Sequence, residues 1–182
     1  MHTLPEAHVF IATSLDGYIA APDGGIGWLT GLPVPTGEDH GYAAFIAGID
    51  AVLMGRATYD TVLGFGDWPF KVPVMVLSRS LTDGDLRADL AGRVRIEAGG
   101  PRAALDRLGA DGARRVYLDG GQVISAALRE GLVTRMTVTR VPVLLGGGLP
   151  LFGQTGRHGL HHVETRVWAH GFVQSVYSLP VG

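Results

Sequence analysis

The most informative segment of this chain is Val52-Leu53-Met54-Gly55-Arg56-Ala57-Thr58-Tyr59. The apolar run that ends at Met54 predicts a buried strand, Gly55 frees the backbone, and Arg56 and Thr58 open a helix. The first turn of a helix presents unpaired N–H groups and the positive end of the helix dipole, so this corner suits an anion. The planar guanidinium of Arg56 adds donors that match a phosphate.

A second corner of the same kind follows further along the chain, at Val116-Tyr117-Leu118-Asp119-Gly120-Gly121-Gln122. Here too an apolar strand runs into glycines and then into the start of a helix. Two such corners in one small domain indicate a ligand that carries more than one phosphate, such as a dinucleotide.

Size and composition bound the class of protein. With 182 residues, 46% of them hydrophobic and 18% charged, the chain is predicted to form one globular domain over residues 1–182. The net charge of −2 argues against nucleic acid as a partner, because binding there needs a cationic surface. The absence of long apolar runs and of a signal-like start predicts a cytoplasmic protein that does not engage membranes.

The chain has no cysteine. Disulfides, thiolate zinc sites, iron–sulfur ligation and cysteine nucleophiles are therefore all excluded. His158, His161 and His162 lie close together in sequence, but no carboxylate partner accompanies them, and we interpret them as solvated residues rather than metal ligands.

The order of predicted elements defines the fold class. Strands alternate with helices and then occur alone, which predicts an α/β fold with a mostly parallel central sheet, helices on both faces and a C-terminal antiparallel hairpin turning at His170–Gly171. Residues 16–37, rich in glycine and proline, are predicted to form a long functional loop. Strands are predicted over residues 8–15, 51–54, 72–78, 94–96, 115–118, 135–141, 163–168 and 172–179, and helices over 38–48, 58–63, 101–108 and 122–130.

Five motifs carry a resemblance to a known family. The chain resembles dihydrofolate reductase-like proteins, and more closely the branch related to the C-terminal reductase domain of the riboflavin biosynthesis protein RibD. The motifs occur in the family's order and spacing over nearly the whole chain. They are Ser14-Leu15-Asp16-Gly17-Tyr18-Ile19-Ala20, Met54-Gly55-Arg56-Ala57-Thr58-Tyr59, Val76-Leu77-Ser78-Arg79-Ser80, Asp119-Gly120-Gly121, and the segment from Val141 to Phe152 with its triple glycine.

The resemblance implies an NADPH-dependent reductase of a pterin-like or amino-pyrimidine small molecule. Related reductase domains are often dimers, so the resemblance also implies a homodimer. It implies that Arg56 and Thr58 hold phosphates and that Ser78 and Arg79 meet the adenosine 2′-phosphate. The remaining cofactor positions that it implies are Gly55, Gly120, Gly121 and Gln122 beside the pyrophosphate and nicotinamide, and Ala12 and Ile19 flanking the nicotinamide ring by backbone contact.

Asp39 is the candidate catalytic and substrate-binding carboxylate. Counted without gaps from Gly55, it falls where the resembled folate reductases keep the acid that grips the pterin, and a carboxylate suits paired hydrogen bonds from such a ring. Glu38 next to it stays open as an alternative, as does an ordinary role for Asp39 at a helix start. Thr139 is a candidate hydroxyl beside that acid, and Trp28 a candidate cap on the substrate pocket.

The chain departs from the resembled family in two respects, and two other functions are considered beside the reductase. Asp119 stands where folate reductases have a further glycine, and a carboxylate near a pyrophosphate is unfavourable unless it points away. The zinc deaminase half of full-length RibD is absent, because its motif needs cysteines. A Rossmann-type dehydrogenase is disfavoured because the first strand lacks a G-x-G-x-x-G run. A catalytically silent nucleotide-binding protein that keeps the reductase fold stays open.

Overall fold

The computed structural model describes residues 3–180 and contains ten strands and five α-helices there. The strands are β1 Glu6–Thr13, β2 Tyr18–Ala20, β3 Ala51–Gly55, β4 Val74–Leu77, β5 Val94–Glu97, β6 Arg115–Asp119, β7 Val133–Arg140, β8 Leu149–Pro150, β9 His161–Val167 and β10 Val173–Ser178. The helices are α1 Gly27–Thr30, α2 Tyr42–Ala47, α3 Arg56–Leu63, α4 Gly100–Ala110 and α5 Gly121–Arg129, and two 3₁₀ turns occupy Asp83–Asp85 and Ala88–Leu90.

Eight of the strands form one sheet in the order β5-β4-β3-β6-β1-β7-β10-β9. The six strands from β5 to β7 run parallel, whereas β10 is antiparallel to both β7 and β9. The predicted fold class is confirmed, including the C-terminal hairpin, where the backbone N–H of Gly171 donates to the carbonyl of Trp168 at 2.9 Å. Strands β2 and β8 pair separately as a small antiparallel sheet.

Helices cover both faces of the main sheet and enclose two apolar cores. Helices α4 and α5 pack on one face, where Leu53 of β3 points, and α2 and α3 pack on the other, where Val52 and Met54 point. This alternation is the expected behaviour of a strand that is buried on both sides. Within residues 3–180, none of the helices combines the length and the apolar character needed to cross a lipid bilayer.

The connections diverge at the boundary between β3 and β6. From β3 the chain passes through α3 on one face to β4, whereas from β6 it passes through α5 on the other face towards β7 on the opposite side. Neighbouring parallel strands whose connections leave in opposite directions create a crevice at their carboxyl ends, where ligands bind in open α/β sheets. The two strand-to-helix corners singled out in the sequence flank this crevice.

Two sequence predictions need correction. The segment 16–37 contains β2 and the one-turn helix α1, because β2 finds a partner in the distant strand β8. The helix predicted from residue 38 begins at Tyr42 instead, since His40 has a φ of 55° and Gly41 a φ of 86°. Left-handed backbone of this kind cannot continue a helix, so residues 38–41 form a separate turn in front of α2.

Candidate functional site

A cleft of about 1290 Å³ opens at the carboxyl edge of the main sheet, and both strand-to-helix corners line it. Its walls come from the ends of β1, β3, β4, β5 and β6, from the starts of α3 and α5, and from the β2–β8 pair. The structure brings all ten residues assigned to the cofactor to this one cleft. They are Ala12, Ile19, Gly55, Arg56, Thr58, Ser78, Arg79, Gly120, Gly121 and Gln122.

Gly120 and Gly121 permit a close approach between elements that meet in the cleft. Gly120, the N-cap of α5, has a φ of 93°, and a Cβ atom placed on it would overlap Oγ1 of Thr58 in α3. A Cβ on Gly121 would lie 2.7 Å from Cδ1 of Ile19 and 3.3 Å from the carbonyl oxygen of Pro150. Gly120 has no room for a side chain and a φ that favours glycine, and a side chain at Gly121 would press on Ile19 and Pro150, so the start of α5 packs directly against α3 and the β2–β8 pair.

Arg56 stands at the first position of α3. Its Nε lies 2.7 Å from Oδ2 of Asp60 one turn later, and both side chains are about half exposed. An exposed pair of this kind contributes roughly 0–1 kcal/mol, so a phosphate can compete for the guanidinium. At the end of β4, Oγ of Ser78 accepts the backbone N–H groups of Ser80 and Leu81, which turns the chain and leaves Arg79 on the cleft wall.

Asp119 ends β6 and lines the cleft between the two corners. Burial raises the pKa of its carboxyl to about 6, although the nearby Tyr117 hydroxyl, which itself donates to the carbonyl of Phe10, and the backbone N–H of Gly120 oppose the shift. Burial also raises the pKa of Tyr42, with a contribution from the nearby charge of Asp119. The side chain therefore lies among tyrosines on the face covered by α2, and it is a cleft acid that changes protonation near neutral pH.

Asp39 lies in the turn before α2, outside the set of residues that line the cleft. Its two carboxylate oxygens accept the backbone N–H groups of Gly41 and Ala43, each at 2.8 Å. The bond from Ala43, followed by that from Gly41, lowers the pKa of the exposed Asp39 carboxyl. The carboxylate thus stabilises the start of α2, and each oxygen retains a lone pair for a further donor.

Glu38, the alternative to Asp39, holds the same turn against the C-terminal hairpin. Its Oε1 accepts the backbone N–H of His40 at 2.7 Å and its Oε2 accepts Nε1 of Trp168 at 3.1 Å. The Nε2 atoms of His40 and His170 lie 2.9 Å apart, and the His40 ring stacks on Phe172. Burial lowers the pKa of His40, which keeps this imidazole neutral at pH 7.

Thr139 and Trp28 are close to the cleft without lining it. Thr139 of β7 pairs with Ala12 of β1, is 4% exposed, and accepts a hydrogen bond at Oγ1 from Nε2 of Gln174. Trp28 belongs to α1, whose neighbours Ile26 and Leu29 do line the cleft. The indole N–H of Trp28 is buried and has no acceptor among residues 3–180.

Glu97 is a cleft residue that was not predicted from the sequence. This residue ends β5, lines the cleft and is 8% exposed. Glu97 and Asp119 are each the last residue of a parallel strand, and such residues meet at one edge of a sheet. This shared position is the signal that could have placed Glu97 in the cleft. Across the described range 3–180, no three histidine or carboxylate side chains are grouped so that they could hold a metal ion.

Comparisons with known proteins agree with this architecture. Residues 5–173 match the family model of the RibD C-terminal domain. A protein of Shewanella sp. PV-4, provisionally named a riboflavin biosynthesis protein, is 38% identical, and its crystal structure has a TM-score of 0.89 over 96% of this chain and 99% of that one. The uncharacterized protein YwjB of Bacillus subtilis is 31% identical over 147 residues, which are 79% of this chain and 80% of YwjB.

A more distant structure shows the fold alone. The diaminohydroxyphosphoribosylaminopyrimidine deaminase/5-amino-6-(5-phosphoribosylamino)uracil reductase of Thermotoga maritima is 15% identical with a TM-score of 0.73. The match covers 97% of this chain and 57% of the Thermotoga chain, so this chain spans little more than half of that protein.

Proposed function

This chain belongs to the RibD C-terminal domain family, and from that premise we propose that it is a reductase that transfers a hydride from NADPH to a pterin-like or amino-pyrimidine small molecule. The observation that carries the proposal is the single cleft in which both strand-to-helix corners meet. A small-molecule substrate, rather than nucleic acid or a membrane surface, also accords with the net charge of −2.

The residues present fit a dinucleotide. Glycines at 120 and 121 let α5 begin in contact with Thr58 and Ile19, so the N–H groups of its first turn lie beside the corner at Arg56, where a pyrophosphate would bind. Arg56 and Thr58 supply donors from the opposite corner, and Ser78 and Arg79 extend the cleft towards the adenosine end. When bound, NADPH supplies the hydride, and the backbone at Ala12 and Ile19 is placed to orient its reactive ring.

Of the two acids that line the cleft, Asp119 rather than Glu97 is the candidate proton donor to the substrate. With a pKa of about 6, this carboxyl is partly protonated near neutral pH and can hold a proton for the reduced atom of the substrate. Asp39, with Thr139 and Trp28, remains the second candidate group for gripping the ring, as the family resemblance implies. Asp39 supports this role through the lone pairs that its helix-start hydrogen bonds leave free.

Binding and turnover test the proposal separately. Titration with NADPH should quench tryptophan fluorescence with a Kd in the micromolar range, and turnover should appear with a pterin, a flavin precursor or a quinoid acceptor. Failure to bind NADPH below millimolar concentration contradicts the proposal.

A catalytically silent nucleotide-binding protein is the second candidate function. It is favoured by the observation that both oxygens of Asp39 are already engaged by the turn before α2. Tight NADPH binding without turnover across the three classes of acceptor supports this alternative.

We also propose that a second copy of the chain pairs with β9, one of the two edge strands of the main sheet. Antiparallel pairing of two β9 strands about Thr165 would place Glu164 of each copy opposite Arg166 of the other, and would cover Val167, which is 71% exposed. Light scattering should give the mass of two chains. Arg166→Glu should reduce the mass to one chain, and adding Glu164→Arg should restore it, whereas a wild-type mass of one chain contradicts the pairing.

A further inference from the structure

Glu97 carries a buried carboxylate that lines the cleft but has no role in the proposed reaction. Its Oε1 accepts the backbone N–H of Gly99 at 2.7 Å. Its Oε2 is buried and receives no hydrogen bond from any of residues 3–180. Arg107 of α4 places Nε 3.3 Å from this oxygen, an ion-pair distance without hydrogen-bond geometry, and the Arg107 side chain is 61% exposed. A buried carboxylate oxygen without a hydrogen-bond donor is costly, and only the exposed Arg107 compensates its negative charge.

The position of Glu97 defines which part of a dinucleotide it meets. Strand β5 lies two strands from β3, and adjacent strands are about 4.8 Å apart, so Glu97 lies roughly 10 Å from the phosphate corner at Arg56. The backbone N–H of Ser78 donates to the carbonyl of Glu97 at 3.0 Å, which makes Glu97 the neighbour of Ser78 and Arg79. These are the residues that meet the 2′ position of the adenosine ribose in the proposed complex.

Two opposite charges therefore line the cleft at the 2′ position. Arg79 attracts a 2′-phosphate, whereas the negative charge of Glu97 in the same wall repels it. Arg107 lies on the other side of Glu97 and compensates part of its charge. The preference between a phosphorylated and an unphosphorylated ribose is then set by the balance among these three side chains.

We propose that Glu97 is the specificity residue that lets this cleft accept NADH beside NADPH, by opposing the attraction of Arg79 for the 2′-phosphate. This inference rests on the proposed function, because it assigns the adenosine half of the same cofactor. It predicts dissociation constants for NADH and NADPH within about tenfold of one another in the unmodified protein.

The test measures the dissociation constants of NADH, NADPH, 5′-AMP and 2′,5′-ADP by calorimetry for the unmodified protein and for three variants. Glu97→Gln keeps an oxygen for the Gly99 N–H but removes the charge, and should raise the preference for the 2′-phosphorylated ligand of each pair about tenfold. Arg107→Gln leaves Glu97 uncompensated and should lower that preference. Glu6→Gln, an exposed change at the amino-terminal edge of the sheet, should leave it unchanged.

Opposite shifts in Glu97→Gln and Arg107→Gln support the proposal, because a purely structural role of the pair would not change the ratio in two directions. An unchanged ratio in Glu97→Gln overturns the proposal. An equal loss of all four ligands in that variant also overturns it, since Glu97 would then contact the adenine or only support the fold. If the unmodified protein binds none of the four ligands, the proposed function itself fails, and the role of Glu97 fails with it.

Discussion

Gly120 at the start of α5 lies so close to Thr58 in α3 that a Cβ atom on Gly120 would overlap the threonine hydroxyl oxygen. The two residues are 62 positions apart, yet they bring together the two helix starts that flank the crevice between β3 and β6. The distance between these helix starts is therefore determined by the absence of a side chain at one position.

Gly120→Ala should lower both stability and nucleotide binding. The left-handed φ of 93° costs an alanine about 1 kcal/mol, and relief of the overlap must move α5 away from α3. We expect a lower Tm and at least a tenfold weaker Kd for NADPH, measured by thermal unfolding and fluorescence titration. Gly112→Ala is the matched control, since Gly112 has a φ of 96°, no atom near its Cβ position and no place in the cleft. Equal NADPH affinities in the two variants would count against the proposed site.

Arg56→Gln and Arg79→Gln should weaken binding in different ways. Arg56 stands at the corner assigned to the pyrophosphate, so its loss should weaken NADH and NADPH alike, by roughly tenfold. Arg79 stands near the 2′ position, so its loss should weaken NADPH selectively. Affinities for both nucleotides in each variant and in the exposed control Arg102→Gln provide the measurement. Selective loss of NADPH in Arg56→Gln would contradict the assigned orientation of the cofactor.

Asp119→Asn should stabilise the protein at neutral pH but not in acid. The folded pKa of about 6 exceeds the ordinary value of 3.8, so the folded state binds more protons than the unfolded state between these values. The contribution of Asp119 to the free energy of unfolding is therefore fully present below about pH 4. It falls by about 2–3 kcal/mol as the pH rises through 6. The gain in Tm of Asp119→Asn over the unmodified protein should appear at pH 7.5 and vanish at pH 4. Asp106→Asn, an exposed change on α4, should show no such difference, and a gain that is independent of pH would contradict the shifted pKa.

Asp39→Ser and Asp39→Ala separate the two roles of that carboxylate. Serine keeps an oxygen acceptor at the start of α2, so we expect Asp39→Ser to retain most of the Tm and Asp39→Ala to lose more. If Asp39 also grips the substrate, Asp39→Ser should raise KM or abolish turnover while NADPH affinity stays unchanged. Unchanged turnover in Asp39→Ser, together with its loss in Asp119→Asn, would assign the acid to Asp119 alone.

The corners that we propose for the cofactor could be placed at one cleft from the sequence because their signals are local. Gly55 ends β3 and Arg56 follows directly, just as Gly120 and Gly121 follow β6, and the carboxyl ends of parallel strands share an edge of the sheet. The substrate side was harder to predict, since residues far apart determine it. The turn that carries Asp39 is shaped by contacts of Glu38 with Trp168 and of His40 with His170, 130 positions away in each case.

The segment 16–37 shows the same limit. Strand β2 has only three residues and is stabilised by pairing with β8, which begins at Leu149. Because this partner is distant in sequence, no local pattern predicts the strand. Glu97 was not predicted because the feature that distinguishes it, a buried carboxylate oxygen without a hydrogen-bond donor, depends on its three-dimensional surroundings. A single strand-end glutamate in sequence gives no sign of which partners it lacks.

Strand β1 is synthesised first, but both of its neighbours in the sheet lie far downstream in the sequence. Strand β1 pairs only with β6 and β7 within the described residues, which end at Asp119 and Arg140. A growing polypeptide on the ribosome must therefore keep its first apolar strand unpaired until β6 has been made, and Asp119 at the end of β6 lies 106 residues beyond Thr13. At about 5–20 residues per second this takes on the order of 10 s, a period in which that strand is exposed to chaperones and to misassembly.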